Sequence, residues 1–215
     1  MVPMQDRQPM PLSNTTALGS DASTTADNQV RIGNGFVTSI GGFANWSNIS
    51  DGRVKKNINE NVPGLAFINK LKPVTYNLNL DAANKIVQKP IAVDKEGKTI
   101  PPSQFEMDAK VAKEKIVYSG FIAQDVEKAA QSVNYDFSGV DAAKNDKDMY
   151  GLRYAEFVVP LVKAVQELSV ENGKLKMKNE EQTTINTTLQ KQIDELKDAL
   201  IKLVNQQKCV PTTGK

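Results

Sequence analysis

The sequence predicts an α+β protein. A small mixed domain is preceded by an N-terminal β-repeat or β-helical fibre segment and followed by a long C-terminal coiled-coil helix. Three observations carry this prediction: glycine-punctuated apolar peaks over residues 13–45, alternating helix-like and strand-like spacings up to about 156, and heptads beyond. We therefore divide the chain into repeats (1–45), a mixed domain (46–156), a coiled-coil helix (157–205) and a disordered tail (206–215).

Composition limits the function classes. The 215 residues are 40% hydrophobic and 24% charged, enough for one ordinary domain and an extension. A formal net charge of +2 provides no basic field for nucleic-acid binding. No apolar run is long enough to predict a membrane span, and the first residues lack the apolar core of a signal peptide. We expect the C-terminal part of a longer protein, in which the single cysteine, Cys209, has no assigned role.

The chain contains no histidine. This excludes His-based catalytic triads, HExxH zinc sites and His-carboxylate iron sites. The stretch VDKEGKT at 93–99 lacks the spaced carboxylates of a calcium loop, and GNG at 33–35 is too short for a dinucleotide fingerprint. We therefore predict no metal and no cofactor, and any general base must be a different side chain.

The N-terminal segment contains two similar pieces, TALGSDAS and VRIGNGFV. Each has a small or β-branched residue, an apolar residue and then glycine, and such units are stable when they stack on one another. The richness in Ser, Thr, Asn and Gly leaves a flexible linker as the alternative. Val30, Ile32 and Val37 recur at strand spacing on either side of an NG turn, which favours strands.

Residues 50–80, at the start of the mixed domain, are predicted to form a turn, a strand, a short helix and a second strand. Leu65, Ile68 and Leu71 have helical spacing, Pro73 ends the helix, and an alternating strand follows from Val74. Residues 81–115 are polar, lysine-rich and prolyl, and we interpret them as a solvated insertion.

The core resumes at about residue 116. After a strand-like run, Ser119 is a candidate cap for a helix whose buried face includes Val126. Residues 132–150 are predicted to form an acidic loop, anchored by Tyr135 and Phe137.

The last helix is predicted to start near Phe157, with Pro160 in its first turn. With position a at Val158, the apolar seam continues for more than six heptads, and four of its layers are polar (Asn172, Asn179, Gln182 and Asn186). The domain is too small to bury such a seam, so we expect the helix to pair with copies of itself. The alternative is a helix that folds back at ENGK, residues 171–174.

The stretch SDGRVKK at 50–56 allows two interpretations. Asp-Gly is the preferred pair for a two-residue hairpin turn, which would put Ser50 opposite Arg53. Lys55 would then be a diagonal neighbour of Ser50, about 7–8 Å away on the same face. The segment is thus either an ordinary basic hairpin or a reactive serine–lysine pair.

The reactive interpretation requires a dry environment. A serine hydroxyl is a weak nucleophile until a base takes its proton, and without histidine the available base is a neutral lysine. An exposed lysine is almost entirely protonated at neutral pH, whereas burial beside other cations favours the neutral form. We therefore expect a Ser50–Lys55 pair to react only in the completed structure.

Four blocks occur in order along the chain: SDGRVKKNI, LKPVTYNL, GFIAQDVEKA and YAEFVVPLVKAVQEL. Together they resemble the intramolecular chaperone auto-processing domain at the C-termini of phage tail spikes and tail fibres such as endosialidase, and in many bacterial tail-fibre-domain proteins. The resemblance covers about residues 50–170. The S-D-x-R-x-K pattern of that family is met by Ser50, Asp51, Arg53 and Lys55. The upstream repeats are similar to trimeric adhesin head repeats.

The resemblance implies a homotrimeric chaperone that aligns three fibre chains and then cuts itself off as a single-turnover serine endopeptidase. Ser50 would be the nucleophile and Lys55 the general base, while Asp51 and Arg53 match the motif without an assigned role. From the chemistry alone, attack on the preceding carbonyl would break the bond between Ile49 and Ser50.

Gln124, in FIAQDVE, is a candidate to bind the developing oxyanion, or else a capping or packing residue. The expected partners are two further copies and the upstream fibre segment of the same polypeptide, without nucleic acid or a membrane span. The expected location is a phage virion tail fibre or a bacterial cell surface. The alternative function is a structural trimerisation tip of a fibre or adhesin that never cuts.

Overall fold

The structure, a computed structural model, describes residues 11–208. It is a mixed α/β protein with small sheets and a long C-terminal helix, which confirms the coarse fold class. The chain divides into two compact units, one that ends at Leu161 and one that begins at Val162. The elements are β1 (Thr16–Leu18), β2 (Val30–Ile32), a 3₁₀ turn (Gly52–Val54), α1 (Leu65–Ile68), β3 (Val74–Tyr76), α2 (Leu80–Ile86), α3 (Gln104–Glu114), β4 (Tyr118–Gly120), α4 (Ala123–Gln131), β5 (Val140–Asp141), β6 (Gly151–Leu152), a second 3₁₀ turn (Tyr154–Phe157) and α5 (Val158–Lys208).

The two N-terminal pieces that share a sequence pattern are neighbours in space. β1 and β2 pair in parallel with Thr16 opposite Val30, the alignment in which the two pieces resemble each other. Asn14 and Asn28 both adopt positive φ, 53° and 58°, and the Asn14 amide donates to Asn28 Oδ1 at 2.8 Å. This pairing favours stacked repeats over the flexible linker.

The strand predicted beyond the NG turn does not form, because Val37 lies outside β2. Asn34 closes a turn there instead. Its Oδ1 accepts from the Phe36 N–H at 2.9 Å, and its amide donates to the Ser20 carbonyl at 3.0 Å. A side chain that bonds its own backbone two residues later competes with strand pairing.

An aromatic core holds residues 64–157 together, and we call this region the body. Phe67 is 0% exposed and lies 5.0 Å from Phe137, whose ring meets Phe157 edge-on at 4.8 Å. Val126 of α4 is buried in the same cluster, and Tyr135 packs against it. Burying each large apolar side chain contributes about 1.5–3 kcal/mol. The prediction that Tyr135 and Phe137 anchor their loop is confirmed.

The strands of the body flank this core. β3 and β4 pair in antiparallel fashion, and β5 pairs with β6. Ser119 lies opposite Thr75 in the β3–β4 ladder, so the prediction that it caps α4 is wrong. Ile122 occupies the cap position without a side-chain hydrogen bond, because the chain must leave the strand before the helix can begin.

The polar region 81–115 contains α2 and α3, two helices for which the sequence showed no apolar periodicity. Asn79 accepts from the Ala82 N–H at 2.9 Å and starts α2. Ser103 and Glu106 form a reciprocal capping box at the start of α3. α3 buries no residue, which agrees with the predicted solvated surface. Local capping rather than an apolar face therefore defines these helices.

α5 follows a 3₁₀ turn and has Pro160 in its first turn, as predicted. It continues without interruption through residues 171–174, so the alternative of a helix that folds back there is wrong. It also extends to Lys208, three residues into the predicted tail, whereas Cys209 and the rest of that tail lie outside the described residues. The apolar side chains of the heptad seam are each at least 45% exposed: Val158, Leu161, Val165, Leu168, Leu175, Leu189, Ile193, Leu196, Leu200 and Leu203.

Candidate functional site

Ser50 lies in a long stretch whose residues are all exposed in the single chain. Residues 38–61 are exposed at every position, and we call them the exposed segment. Its exposed residues include six large apolar ones: Ile40, Phe43, Trp46, Ile49, Val54 and Ile58. A run of such side chains in water is the usual sign of a surface that another chain covers.

A single 3₁₀ turn gives local order around Ser50. Asp51 caps the turn, because its Oδ1 accepts from the Arg53 N–H at 2.8 Å. The Lys55 N–H then donates to the Gly52 carbonyl at 3.2 Å. The predicted two-residue hairpin is wrong: its favoured turn needs positive φ at the Asp-Gly pair, whereas Asp51 has φ −68° and no strand of the described chain includes this stretch.

The acidic and basic residues of the motif pair with each other. The Arg53 guanidinium donates from Nε to both Asp51 carboxylate oxygens, at 3.1 and 3.0 Å. These hydrogen bonds lower the pKa of Asp51 and raise the pKa of Arg53. The sequence assigned no role to Asp51 and Arg53. In the structure their side chains bond to each other and close the turn between Ser50 and Lys55.

The turn brings the predicted nucleophile and base together. Lys55 Nζ lies 3.0 Å from Ser50 Oγ, within hydrogen-bonding distance. Both residues are exposed in the single chain, so the dry surroundings expected for a lysine base are not provided by one copy. The single chain therefore has the contact between the two side chains but not the desolvation.

Gln124, the predicted oxyanion donor, is the second residue of α4 and lies apart from this pair. It lines a cleft of about 730 Å³ together with Tyr76, Phe121 and Tyr154. Neither Ser50 nor Lys55 is part of that lining. Within one chain, therefore, the cleft and the serine–lysine pair are separate features.

Sequence reasoning missed a buried acidic side chain in the loop before β6. Burial alone would raise the pKa of Asp148, but hydrogen bonds from Thr25, from the Lys144 and Met149 backbone N–H groups and from Gln29 outweigh it and lower the pKa to about 2. The partners Thr25 and Gln29 are more than a hundred residues away in sequence. No local pattern could have indicated this cluster.

Two further kinds of feature, a metal site and a membrane-spanning helix, are absent from the residues that the structure describes. Between residues 11 and 208 there is no group of three Cys, Asp or Glu side chains that could hold a metal ion. None of the helices that the structure describes is long and apolar enough to cross a membrane.

Comparison with known families identifies the segment that begins at Ser50. Residues 50–135 match the family model described as chaperone of endosialidase. The match confirms, over these residues, the resemblance to an endosialidase-type intramolecular chaperone domain. No curated protein and no solved structure matches the chain.

Proposed function

We propose, on the premise of an endosialidase-type chaperone domain at residues 50–135, that this chain is a self-cleaving intramolecular chaperone. It trimerises, aligns the upstream fibre segment of three copies and then releases itself by cutting between Ile49 and Ser50. The proposed setting is a phage tail fibre or tail spike, or a surface fibre of a bacterium.

The observation that carries the proposal is the 3.0 Å contact between Lys55 Nζ and Ser50 Oγ. It occurs within the motif that the family resemblance singles out, at the first residue of the matched segment. Nucleophile and base within hydrogen-bonding reach, with a third group to orient them, is the general signature of an activated serine. Here the turn that Asp51 and Arg53 close takes the place of that third group, because it holds Ser50 and Lys55 close together.

The proposed cut proceeds through an acyl shift. Ser50 Oγ attacks the Ile49 carbonyl carbon while neutral Lys55 accepts the hydroxyl proton. The bond from that carbon to the Ser50 nitrogen breaks, and the proton is transferred to the leaving nitrogen. The resulting ester joins Ile49 to Ser50 Oγ, and one water molecule hydrolyses it to a carboxylate at Ile49 and a free hydroxyl at Ser50. Gln124 stays a candidate donor to the oxyanion.

Assembly provides what a single chain lacks. The exposed segment and the α5 seam both present apolar side chains to water, and both become buried if three copies associate. Burial of Lys55 at the interface removes water from its ammonium group, which favours the neutral form. The reaction is thereby coupled to completed folding, so an unassembled chain stays uncut.

The coiled coil also explains the chaperone effect. Three free chains must lose much entropy to align their repeats, whereas linkage through α5 raises the local concentration of the three segments. Polar layers such as Asn172 and Asn186 disfavour slipped registers, because a shifted Asn would face an apolar neighbour. Once the template separates from the fibre after the cut, the fibre is trapped kinetically.

Intact mass spectrometry of the purified chain tests the cut. We expect two products, residues 1–49 and 50–215, whose masses sum to that of the whole chain plus one water. Ser50→Ala should stay whole. Lys55→Met should cleave at least about 100-fold more slowly, whereas Lys56→Met, which removes the adjacent cation, is the matched control and should cleave within a few-fold of the wild type.

Two outcomes would contradict the mechanism: cleavage of Ser50→Ala at the same bond, or an equal loss of rate in Lys55→Met and Lys56→Met. The second candidate function, a non-cleaving trimerisation tip, is favoured by the exposure of Ser50 and Lys55 in one copy. A wild-type chain that sediments as a trimer and yet keeps its full mass would support that alternative.

A further inference from the structure

A buried polar cluster joins the upstream repeat to the body, at a distance in sequence from the Ser50 motif. Asp148 lies in the loop between β5 and β6, and its side chain is only 3% exposed. Gln29, the residue before β2, is 4% exposed. An ionised carboxylate at such a position is costly unless donors surround it. The identity of those donors therefore indicates what this loop is built to hold.

The principal side-chain donors come from the repeat. Thr25 Oγ1 donates to Asp148 Oδ1 at 2.6 Å, and Gln29 Nε2 lies 3.2 Å from each carboxylate oxygen. Gln29 is itself fixed, because its Oε1 accepts from the N–H groups of Thr25 at 2.9 Å and Ala26 at 3.2 Å. The carboxylate of Asp148 thus recognises a coil whose backbone is already folded around Gln29.

Further contacts extend this interface along the coil. The Asn145 amide donates to the Thr25 carbonyl at 2.8 Å, and the Arg31 guanidinium lies 3.6 Å from Asp148. At the C-terminal end of the coil, the Lys113 ammonium donates to the Val37 carbonyl at 2.6 Å. Val37 is the last residue before the exposed segment. All of these contacts therefore lie upstream of the proposed cut on one side and within the body on the other.

We propose that the loop around Asp148 is a docking site for the last coil of the upstream repeat, residues 25–37, and that it retains this coil after the chain is cut. The occupant is defined by its chemistry: a folded coil that presents a hydroxyl, a carboxamide and a guanidinium to one buried carboxylate. The docking contact stands on its own geometry, whereas its role after self-cleavage rests on the proposed function. Cutting at Ser50 breaks none of these contacts, so release of the fibre requires a second step in which they separate.

The experiment uses the full chain with Ser50→Ala and a recognition sequence for an added protease at Gly41–Gly42, where no atom outside the adjoining residues lies within 4 Å of either glycine's side-chain position. The chain is folded, cut by that protease and analysed by gel filtration with native mass spectrometry. We expect the N-terminal fragment to stay bound. Asp148→Asn and Gln29→Glu should each raise its apparent dissociation constant by at least about 10-fold, since each removes a hydrogen bond to a charged group.

Two comparisons separate docking from general folding. Asp146→Asn removes a negative charge from an exposed position of the same loop and should leave retention unchanged. Gln29→Glu combined with Asp148→Asn exchanges amide and carboxylate, and it should recover a large part of the affinity lost in either single variant. Recovery of affinity in the combined variant requires that this variant folds, and it shows that the two side chains act on each other.

Equal retention of the fragment in all variants would overturn the docking site. Loss in both single variants without recovery in the combination would overturn direct recognition between Gln29 and Asp148. Because an added protease makes the cut in a Ser50→Ala background, neither result depends on self-cleavage. A wild-type chain that never cleaves itself would contradict the proposed function and leave the docking site standing.

Discussion

The apolar side chains of the body are buried, whereas those of the α5 seam are exposed. In the body, Phe67, Phe137 and Phe157 contact one another and are at most 6% exposed. Along α5, side chains such as Leu196 and Leu200 are 69% and 63% exposed, although the helix is regular throughout. The core is complete within one chain, whereas the seam is not. Under the proposed function, folding and assembly therefore depend on different parts of the sequence. Substitutions in the two regions should therefore have separable effects.

The largest expected effect tests whether the body is self-sufficient. Phe67→Ala removes the most completely buried ring of the core and should lower the free energy of unfolding by about 3–5 kcal/mol. Phe105→Ala on α3, where the side chain is 79% exposed, is the control and should change it by less than about 0.5 kcal/mol. Urea denaturation at fixed protein concentration measures both. Similar losses in the two variants would mean that the body depends on contacts outside this core.

The next effect tests whether the seam serves association alone. Leu196→Ala should weaken the trimer, at a cost of about 2–5 kcal/mol for each side chain that becomes buried on assembly. Asp198→Ala, two residues further along the helix and off the seam, should leave association unchanged. Sedimentation equilibrium measures the oligomeric state, and circular dichroism of the aromatic bands reports on the body. If Leu196→Ala unfolds the body, or if it stays as trimeric as the wild type, then the seam does not serve association alone.

A third, smaller effect concerns the Asp148 carboxylate, which ties the repeat to the body. Its folded pKa of about 2 is below the ordinary value of 3.8, so the folded state binds fewer protons and the carboxylate contributes about 2 kcal/mol above pH 4. That stability is lost as the pH falls through about 2. The difference in unfolding free energy between the wild type and Asp148→Asn should therefore be largest at neutral pH and shrink towards pH 2. A difference independent of pH would show that the charge is not what matters.

The smallest effect concerns α3, a helix of the body that buries no residue. Ser103→Ala removes its N-terminal cap and should cost about 1 kcal/mol. Thermal unfolding monitored by far-ultraviolet circular dichroism measures the change, with Ser47→Ala in the exposed segment as the control. Hydrogen bonds from Ser103 lower the pKa of Glu106, so the cap should also weaken as the pH falls through that lowered value. No change in Ser103→Ala would indicate that packing, rather than capping, holds α3.

The sequence predicted what depends on neighbours along the chain. The heptads of α5, the short helix and strand around Pro73, and the contact between Ser50 and Lys55 all follow from residues close in sequence. The similarity of the pieces that begin at Thr16 and Val30 predicted stacking, and β1 and β2 do pair in the register in which the two pieces are alike. Periodic and repeated patterns are strong signals because many residues contribute to each of them.

What the sequence did not predict falls into two physical classes. α2 and α3 were missed because their helical signal lies in capping residues such as Asn79 and Ser103 rather than in an apolar face. The turn at Ser50 was assigned the wrong type because the side chain of Asp51 competes with hairpin geometry. Asp148 was missed because its partners are 119–123 residues away, which no local pattern encodes.

The parallel register of β1 and β2 has a consequence for how the repeat segment could vary in length. Corresponding residues in the two coils are separated by 14 positions, as Asn14 and Asn28 are. Among the described residues, the side-chain hydrogen bonds between the repeat and the Asp148 loop come from the later coil. Whole coils could therefore be gained or lost upstream without altering the end that is docked, and we expect one terminal domain to be able to serve shafts of many different lengths.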